Sequence, residues 1–393
     1  MIDLEPRGKV LVVTTSFPNQ ANQSAGTFVL KLSEKLQKYN SIEVLTPSVY
    51  GLENEASVVG DKVMSVIFFR YAPKRYEVLA QLPGGIPAAT AKNTLIKLLI
   101  PFFILKFMFS LISSLRGVNS VLAHWAVPSF LSVLACALYN KRVVSVLHGE
   151  DVRRARVSLV SRAILWVVVR FSSRTICVSE AMLERVRCLF PTAGEKVEFI
   201  SNGVDESLLR QPITKNSSEL PLKLLVVASL VPIKSVDHII QAVSRLHSEG
   251  FLFELTIAGD GPLMYELKTL SEKLGVAGSI NFLGVLPQEE IYKLYASHNA
   301  LVLPSREEGR SSVVMEAMAA GLPVIASNVV GINELLSETQ FQLMYRYGSI
   351  VDLVKAIRTP VNDLDAIGLL NRQWISTSDL VWDEVARKYA EIL

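Results

Sequence analysis

Residues 308–326 read Glu308-Gly309-Arg310-Ser311-Ser312-Val313-Val314-Met315-Glu316-Ala317-Met318-Ala319-Ala320-Gly321-Leu322-Pro323-Val324-Ile325-Ala326. The apolar run Ala300-Leu301-Val302-Leu303 precedes this stretch, and Gly321 and Pro323 break it before a second apolar run. The pattern predicts strand, loop, helix, strand. Glu308 then sits on a loop at the carboxyl end of a strand, where open α/β sheets bind ligands. The backbone N–H groups near Ser311 and Ser312 open the helix and suit a phosphate. Glu316 follows Glu308 by eight positions. Eight residues make slightly more than two helical turns, so Glu316 lies deeper and reaches another part of the same ligand. Carboxylates accept hydrogen bonds strongly from hydroxyls and suit a bare phosphate badly. Hydroxyls at both ends with phosphate between them describe a nucleotide-sugar.

Working outward, 393 residues are enough for two domains of ordinary size. Half the residues are hydrophobic, which excludes a disordered chain. Cys136, Cys177 and Cys188 are few, odd in number and in no metal-binding spacing, which points to a reducing compartment. The start, Met1 to Glu5, is acidic and lacks the basic opening of a secretory signal, so a cytoplasmic location is expected. Through residue 200 there are 24 Lys+Arg and 14 Asp+Glu; from 201 onward there are 16 and 23. A basic half beside an acidic half suggests an anionic partner for the former. No nucleic-acid motif is present, so an anionic membrane surface is the preferred partner. Leu95 to Ile112 is nearly as apolar as a spanning helix, but Lys97, Pro101 and Lys106 interrupt it. Three readings stay open for it: a core helix, an interfacial membrane helix and a true span.

Strand-like runs recur at Val10–Thr14, Ile42–Thr46, Met64–Phe69, Val121–Ala123, Val143–Leu147, Thr175–Val178 and Val197–Ile200. A second series runs Leu224–Ala228, Phe253–Ala258, Ser279–Phe282, Ala300–Leu303 and Val324–Ala326. Helical patterns between them argue α/β architecture with doubly wound parallel sheets. The expected division is 1–205 and 206–375, with a polar, proline-bearing linker from Gln211 to Pro221. The tail from Trp382 to Ala390 has an amphipathic helical pattern.

The Glu308–Glu316 segment resembles the E-x7-E signature of family 4 retaining glycosyltransferases, which have the GT-B fold of two Rossmann-like domains facing a cleft. Further similarities follow one another along nearly the whole chain. The resemblance implies an acceptor-side first domain, a donor-binding second domain and a tail, 376–393, that crosses back to the first. It implies that Glu308 holds the donor sugar and Glu316 the ribose, with Gly309, Arg310, Ser311 and Ser312 lining the donor. Thr15-Ser16-Phe17-Pro18-Asn19 followed by Gly26-Thr27-Phe28-Val29 is similar to the family's first loop, where Gly26 lets backbone approach a phosphate or serves as a turn glycine. His148-Gly149-Glu150-Asp151 is similar to a phrase near donor sugar and acceptor. His124 also ends a predicted strand and is either a site residue or a hydrogen-bonded structural histidine.

Lys234 matches the family's diphosphate-holding lysine. Ser229 stands where the family commonly has Arg, and Ala228 and Ser235 replace glycines. One lost cation removes a charge-assisted bond of ~1.5–3 kcal/mol. Either Arg310 compensates or the donor binds more weakly. Asp260 ends a strand in a turn typical of the family, and the loop bearing Leu286 offers backbone groups to the nucleobase in relatives. No metal site is expected: the one Asp-x-Asp, Asp363-Leu364-Asp365, does not follow a core strand, and no His/Cys cluster suggests zinc. No cofactor is implied beyond the nucleoside diphosphate-sugar, with UDP and GDP both open. The resemblance implies sugar transfer to a glycan or lipid-linked acceptor, with bacterial surface-polysaccharide assembly as the setting. The alternatives are a GT-B nucleotide-sugar epimerase and a non-catalytic sugar-nucleotide-binding subunit. The absence of Gly-x-Gly-x-x-Gly at the first helix disfavours a dinucleotide oxidoreductase.

Overall fold

The structure is a computed structural model and describes residues 8–18, 26–49, 64–80, 86, 94–212, 221–336 and 343–393. The start of the chain, part of the first loop and most of the expected linker lie outside the described residues. The chain forms two compact units, Met1–Gly203 with Trp382–Leu393, and Val204–Val381.

The first unit contains β1 (Lys9–Val13), β2 (Ser41–Pro47), β3 (Ser65–Phe69), β4 (Ser120–His124), β5 (Arg142–Leu147), β6 (Arg174–Cys177) and β7 (Val197–Phe199). They form one sheet in the order β3-β2-β1-β4-β5-β6-β7, with every pair parallel. The second unit contains β8 (Leu222–Val227), β9 (Phe253–Ala258), β10 (Ile280–Gly284), β11 (Ala300–Leu303), β12 (Val324–Ser327) and β13 (Leu343–Tyr345). Their order is β10-β9-β8-β11-β12-β13, again parallel. Both orders are those of a doubly wound Rossmann sheet, with a switch point between β1 and β4 and another between β8 and β11.

The apolar runs of the strands follow from burial on both faces. In β1, Val10 and Val12 enter one core while Leu11 and Val13 enter the opposite one. In β8, Leu224 and Val226 face one side and Leu225 the other. The strand β13 carries no signal in the sequence series because it is only three residues long and sits at the sheet edge.

Residues 376–381 stay with the second unit, where Leu380 O accepts from Val204 N–H and Val381 bridges Val204. The final helix, Trp382–Ile392, belongs to the first unit. Trp382, Val385 and Tyr389 are buried there, and Asp383 binds Lys35 at 3.0 Å and Lys38 at 2.6 Å.

The apolar stretch after Leu95 forms a 3-10 turn, Thr94–Leu99, and a helix, Ile100–Ser114. Phe103, Phe107 and Leu111 make an i, i+4, i+8 stripe in the core that Leu11 and Val13 enter, with Phe107 stacked on Phe69 at 4.7 Å. The opposite stripe, Phe102, Leu105 and Phe109, is 61–70% exposed. The segment is long and apolar enough to cross a membrane, but its buried stripe could not leave without opening the core. It is a core helix on one side and a bare apolar surface on the other.

Candidate functional site

The second unit gathers its candidate residues around the β8/β11 switch point. The β8 strand ends at Val227, and the chain turns through Ser229 into a short 3-10 turn, Pro232–Lys234. The β11 strand ends at Leu303 and leads to the loop of Glu308. The loops join where Arg306 N–H donates to Ile233 O at 2.8 Å. Lys234 Nζ then donates to Glu308 Oε1 at 2.6 Å, across 74 positions of sequence. Ser305 Oγ donates to the same oxygen at 2.6 Å. Ser305 is fully buried, and its carbonyl accepts from the buried hydroxyl of Ser327 in β12. Glu308 is therefore placed by a chain of contacts reaching two strands into the sheet. An ammonium has three donors, so Lys234 keeps two beyond the one given to Glu308.

The helix Ser312–Ala319 follows, and Gly321, at φ +78°, ends it as expected for a C-terminal glycine. Its first-turn N–H groups have no acceptor within the helix, as at any helix start. Glu316 accepts from Gln288 Nε2 at 3.1 Å and from the buried Tyr295 hydroxyl at 3.0 Å. These bonds orient Glu316 from a neighbouring helix, Gln288–Ser297. The sequence reading did not include Gln288 or Tyr295, which carry no local signal. It also missed Gly331: a Cβ there would strike the carbonyls of Glu308 and Gly309. The smallest side chain is what allows the helix Val330–Leu336 to lie against the Glu308 turn.

Ser235, where a glycine was noted as replaced, adopts a left-handed backbone, φ 47° and ψ 42°. Its hydroxyl lies 3.1 Å from that of Tyr347. Ser229 is exposed at the mouth of the same loop. Asp260 follows β9, and its Oδ1 accepts from Gly261 N–H at 2.7 Å, a turn-forming bond. Leu286 follows β10 and packs partly into the second unit's core. Asp363 and Asp365 lie in the helix Val361–Thr377.

The first unit gathers a second group at its own switch point. Gly26 opens the helix Thr27–Leu36 in a left-handed conformation, φ 64°, and a Cβ there would strike the Ser16 carbonyl. Its requirement for glycine is thus explained by the turn itself. His124 ends β4 and His148 follows β5. Their rings stack at 5.5 Å, with His124 Nδ1 3.3 Å from His148 Nε2. Phe28 and Trp125 each lie 4.8 Å from the His148 ring. Burial holds His124 well below its ordinary pKa, with a smaller contribution from His148, and burial pushes His148 down to about 3. Both imidazoles are neutral at pH 7.

Asp151 clamps this group: it accepts from His148 N–H at 2.9 Å and from Ala126 N–H at 3.0 Å. Burial raises Asp151 to about 6 in spite of these two donors. Trp125, absent from the sequence reading, has φ 68° and ψ 157°, a region otherwise almost reserved for glycine. Its N–H donates to Val146 O at 2.9 Å, so the strained turn is pinned between β5 and Asp151.

Two family descriptions match consecutive stretches of this chain. "Glycosyltransferase Family 4" matches residues 25–208, and "Glycosyl transferases group 1" matches residues 210–373. The chain belongs to the family 4 glycosyltransferases. Among curated members, it is 29% identical over 280 residues to "Glycogen synthase" of Mycobacterium tuberculosis H37Rv, covering 69% of this chain and 67% of that protein. It is 27% identical over 270 residues to the "GDP-mannose-dependent alpha-(1-6)-phosphatidylinositol monomannoside mannosyltransferase" of the same strain, covering 64% and 69%. Among solved structures, Anabaena Alr3699/HepE in complex with UDP and glucose superposes with a TM-score of 0.76 at 18% identity, covering 98% of this chain and 99% of that one. At that identity the likeness concerns the fold, which is GT-B. The family is one of enzymes that use nucleotide-sugars, and this member is a glycosyltransferase.

Proposed function

We propose that this family 4 enzyme is a retaining glycosyltransferase that moves a sugar from a nucleoside diphosphate-sugar onto a lipid-linked glycan in surface-polysaccharide assembly. The observation that carries the donor assignment is the meeting of Lys234 and Glu308 at the β8/β11 switch point, beside the open first turn of Ser312–Ala319. In this reading Lys234 and the N–H groups at Ser311 and Ser312 receive the diphosphate. They neutralise the charge that grows as the sugar–phosphate bond breaks. Glu308 aligns the sugar hydroxyls, and Glu316 takes the ribose hydroxyls. Arg310, on the same loop, supplies a second cation. The neutral His148 faces sugar or acceptor hydroxyls as a hydrogen-bonding group. Retention proceeds by front-face attack, with the departing phosphate accepting the acceptor's proton. Protein cations do the neutralisation, so no metal is required.

The lipid-linked acceptor is supported by the basic first half, by the bare stripe of Phe102, Leu105 and Phe109, and by the relative named as a phosphatidylinositol monomannoside mannosyltransferase. The same features favour a cytoplasmic protein lying peripherally on the membrane.

A panel of UDP- and GDP-sugars, read by thermal shift, tests the donor. A binder stabilises by RT ln(1 + [L]/Kd). Glu316→Ala should weaken nucleotide binding, and Glu308→Ala should mainly lower turnover. Wild-type transfer rates in both variants would remove the assignment. Activity should persist in excess chelator, and loss that Mg²⁺ or Mn²⁺ restores would overturn the metal-free model. Ser229, in place of the family's Arg, favours one second reading, a non-catalytic binding subunit; it requires donor binding without transfer to any acceptor. Donor turnover without acceptor would indicate an epimerase.

A further inference from the structure

A small cavity of about 80 Å³ lies in the first unit between the helix Leu159–Phe171 and the 3-10 segment Pro191–Lys196. Val169 and Phe190 are buried beneath it, and Trp166, Arg170, Thr192 and Lys196 line it. Neither Arg170 nor Lys196 is paired with a carboxylate among the described residues. Glu198, on the following strand, is engaged by Arg174 at 3.1 Å, and Glu195 does not line the cavity. Two cations and a hydroxyl over an apolar floor make a site for a phosphate attached to something apolar.

The surroundings say what that is. Leu159, Val160 and Trp166 on the same helix are 84%, 70% and 48% exposed. The neighbouring helix, Ala126–Ala137, packs against this one and against Ile100–Ser114, whose bare stripe is Phe102, Leu105 and Phe109. Residues 95–175 contain eleven Lys+Arg (97, 106, 116, 141, 142, 153, 154, 156, 162, 170 and 174) against two acids, Glu150 and Asp151. Isolated exposed apolar residues are ordinary, but exposed apolar residues on two helices that both pack against a third, within so basic a segment, are not. An indole at such a boundary is the usual interfacial anchor.

We propose that the cavity lined by Trp166, Arg170 and Lys196 binds the phosphate of an anionic lipid headgroup, while the exposed apolar residues of Leu159–Phe171 and Ile100–Ser114 rest on the bilayer. This rests on the bilayer part of the reading above and is independent of the donor assignment.

The test uses the full chain with phosphatidylglycerol and phosphatidylcholine vesicles, read by co-sedimentation and tryptophan emission. Anionic vesicles should blue-shift the emission, and Trp166→Phe should remove most of that shift. Each basic residue near an anionic surface contributes ~1 kcal/mol, so R170E with K196E should weaken phosphatidylglycerol binding by at least ~10-fold. The melting temperature and donor-induced thermal shift should not change. Soluble glycerol phosphate at millimolar concentration should leave the emission unmoved. Leu105→Glu with Phe109→Glu should weaken binding to both vesicle types. Wild-type binding by R170E/K196E, or equal binding to both vesicles, would overturn the headgroup site. So would a response to glycerol phosphate alone, or self-association of the chain in place of vesicle binding. Loss of the donor shift in the wild-type protein would break the transferase reading instead.

Discussion

At the switch point of the second unit, Lys234 and Glu308 stand as a close ion pair, with 25% and 9% of their side chains exposed. At the switch point of the first unit, His124 and His148 stack as neutral rings among Phe28 and Trp125, and burial raises Asp151 above the ordinary carboxylate range. The strand orders are alike, yet one unit gathers charge where the other suppresses it. Under the proposed function, the difference suits two substrates. A diphosphate requires fixed cations, whereas a sugar or alcohol requires hydrogen-bonding groups that do not titrate. The common sheet supplies only the place, and the loops supply the chemistry.

The largest expected effect tests the charged side. Lys234→Ala should lower transfer by ~100-fold or more, because a cation acting on developing charge is removed. Lys234→Arg should recover part of that loss. If Lys234→Ala is nearly silent in a transfer assay, Arg310 holds the phosphates and the ion pair is only structural.

The next effect sharpens the same side. Ser229→Arg should lower the donor KM by about 10-fold, the return of one charge-assisted bond. No change in KM would mean that Ser229 is not placed to serve the diphosphate.

The neutral side is tested by pH. His124 and His148 have folded pKa values below the unfolded value of about 6.5, so their contribution to stability is present above that pH. It is lost as pH falls toward the folded values, at up to about 1.4 kcal/mol per pH unit for each group. Asp151 has the opposite sign: its raised pKa favours the fold below the ordinary carboxylate range, and that contribution is lost as pH rises through about 6. Two imidazoles outweigh one carboxyl, so the melting temperature should fall between pH 6.5 and 5. His148→Phe should make that fall shallower. An unchanged slope would show that the cluster is open to water.

The smallest effect concerns Ser235. Ser235→Ala keeps the left-handed strain and loses the Tyr347 contact, for a cost of ~1 kcal/mol. Ser235→Gly loses the same contact but relieves the strain, and should be close to neutral. Equal melting temperatures for the two variants would mean that the backbone there is unstrained.

The strands of both sheets were legible because parallel strands buried on two faces are continuous apolar runs. The edge strand Leu343–Tyr345 was not, since three residues carry too little pattern. Lys234, Glu308 and His148 were legible as candidates just beyond strand ends, and Glu316 as a candidate on the helix that follows one. What holds them was not: Ser305, Ser327, Tyr295 and Gly331 act through neighbours distant in sequence, where no local periodicity records the contact. The substitution at Ser235 was visible, but its left-handed backbone was not. Leu95 to Ile112 was ambiguous for a physical reason. A helix with one apolar face in a core and another left bare has the composition of all three readings at once.

The helix Trp382–Ile392 completes the first unit, yet it follows the whole of the second unit in sequence and is therefore synthesised after it. Until then Trp382, Val385 and Tyr389 cannot fill their places beside the helix Thr27–Leu36, and Lys35 and Lys38 lack Asp383. The first half of the polypeptide therefore waits on the ribosome as an unfinished core while the second unit, whose residues are contiguous, has all its parts earlier. Order of translation and order of completion are reversed, and a chain cut short before Trp382 would leave the amino-terminal unit exposed to proteases.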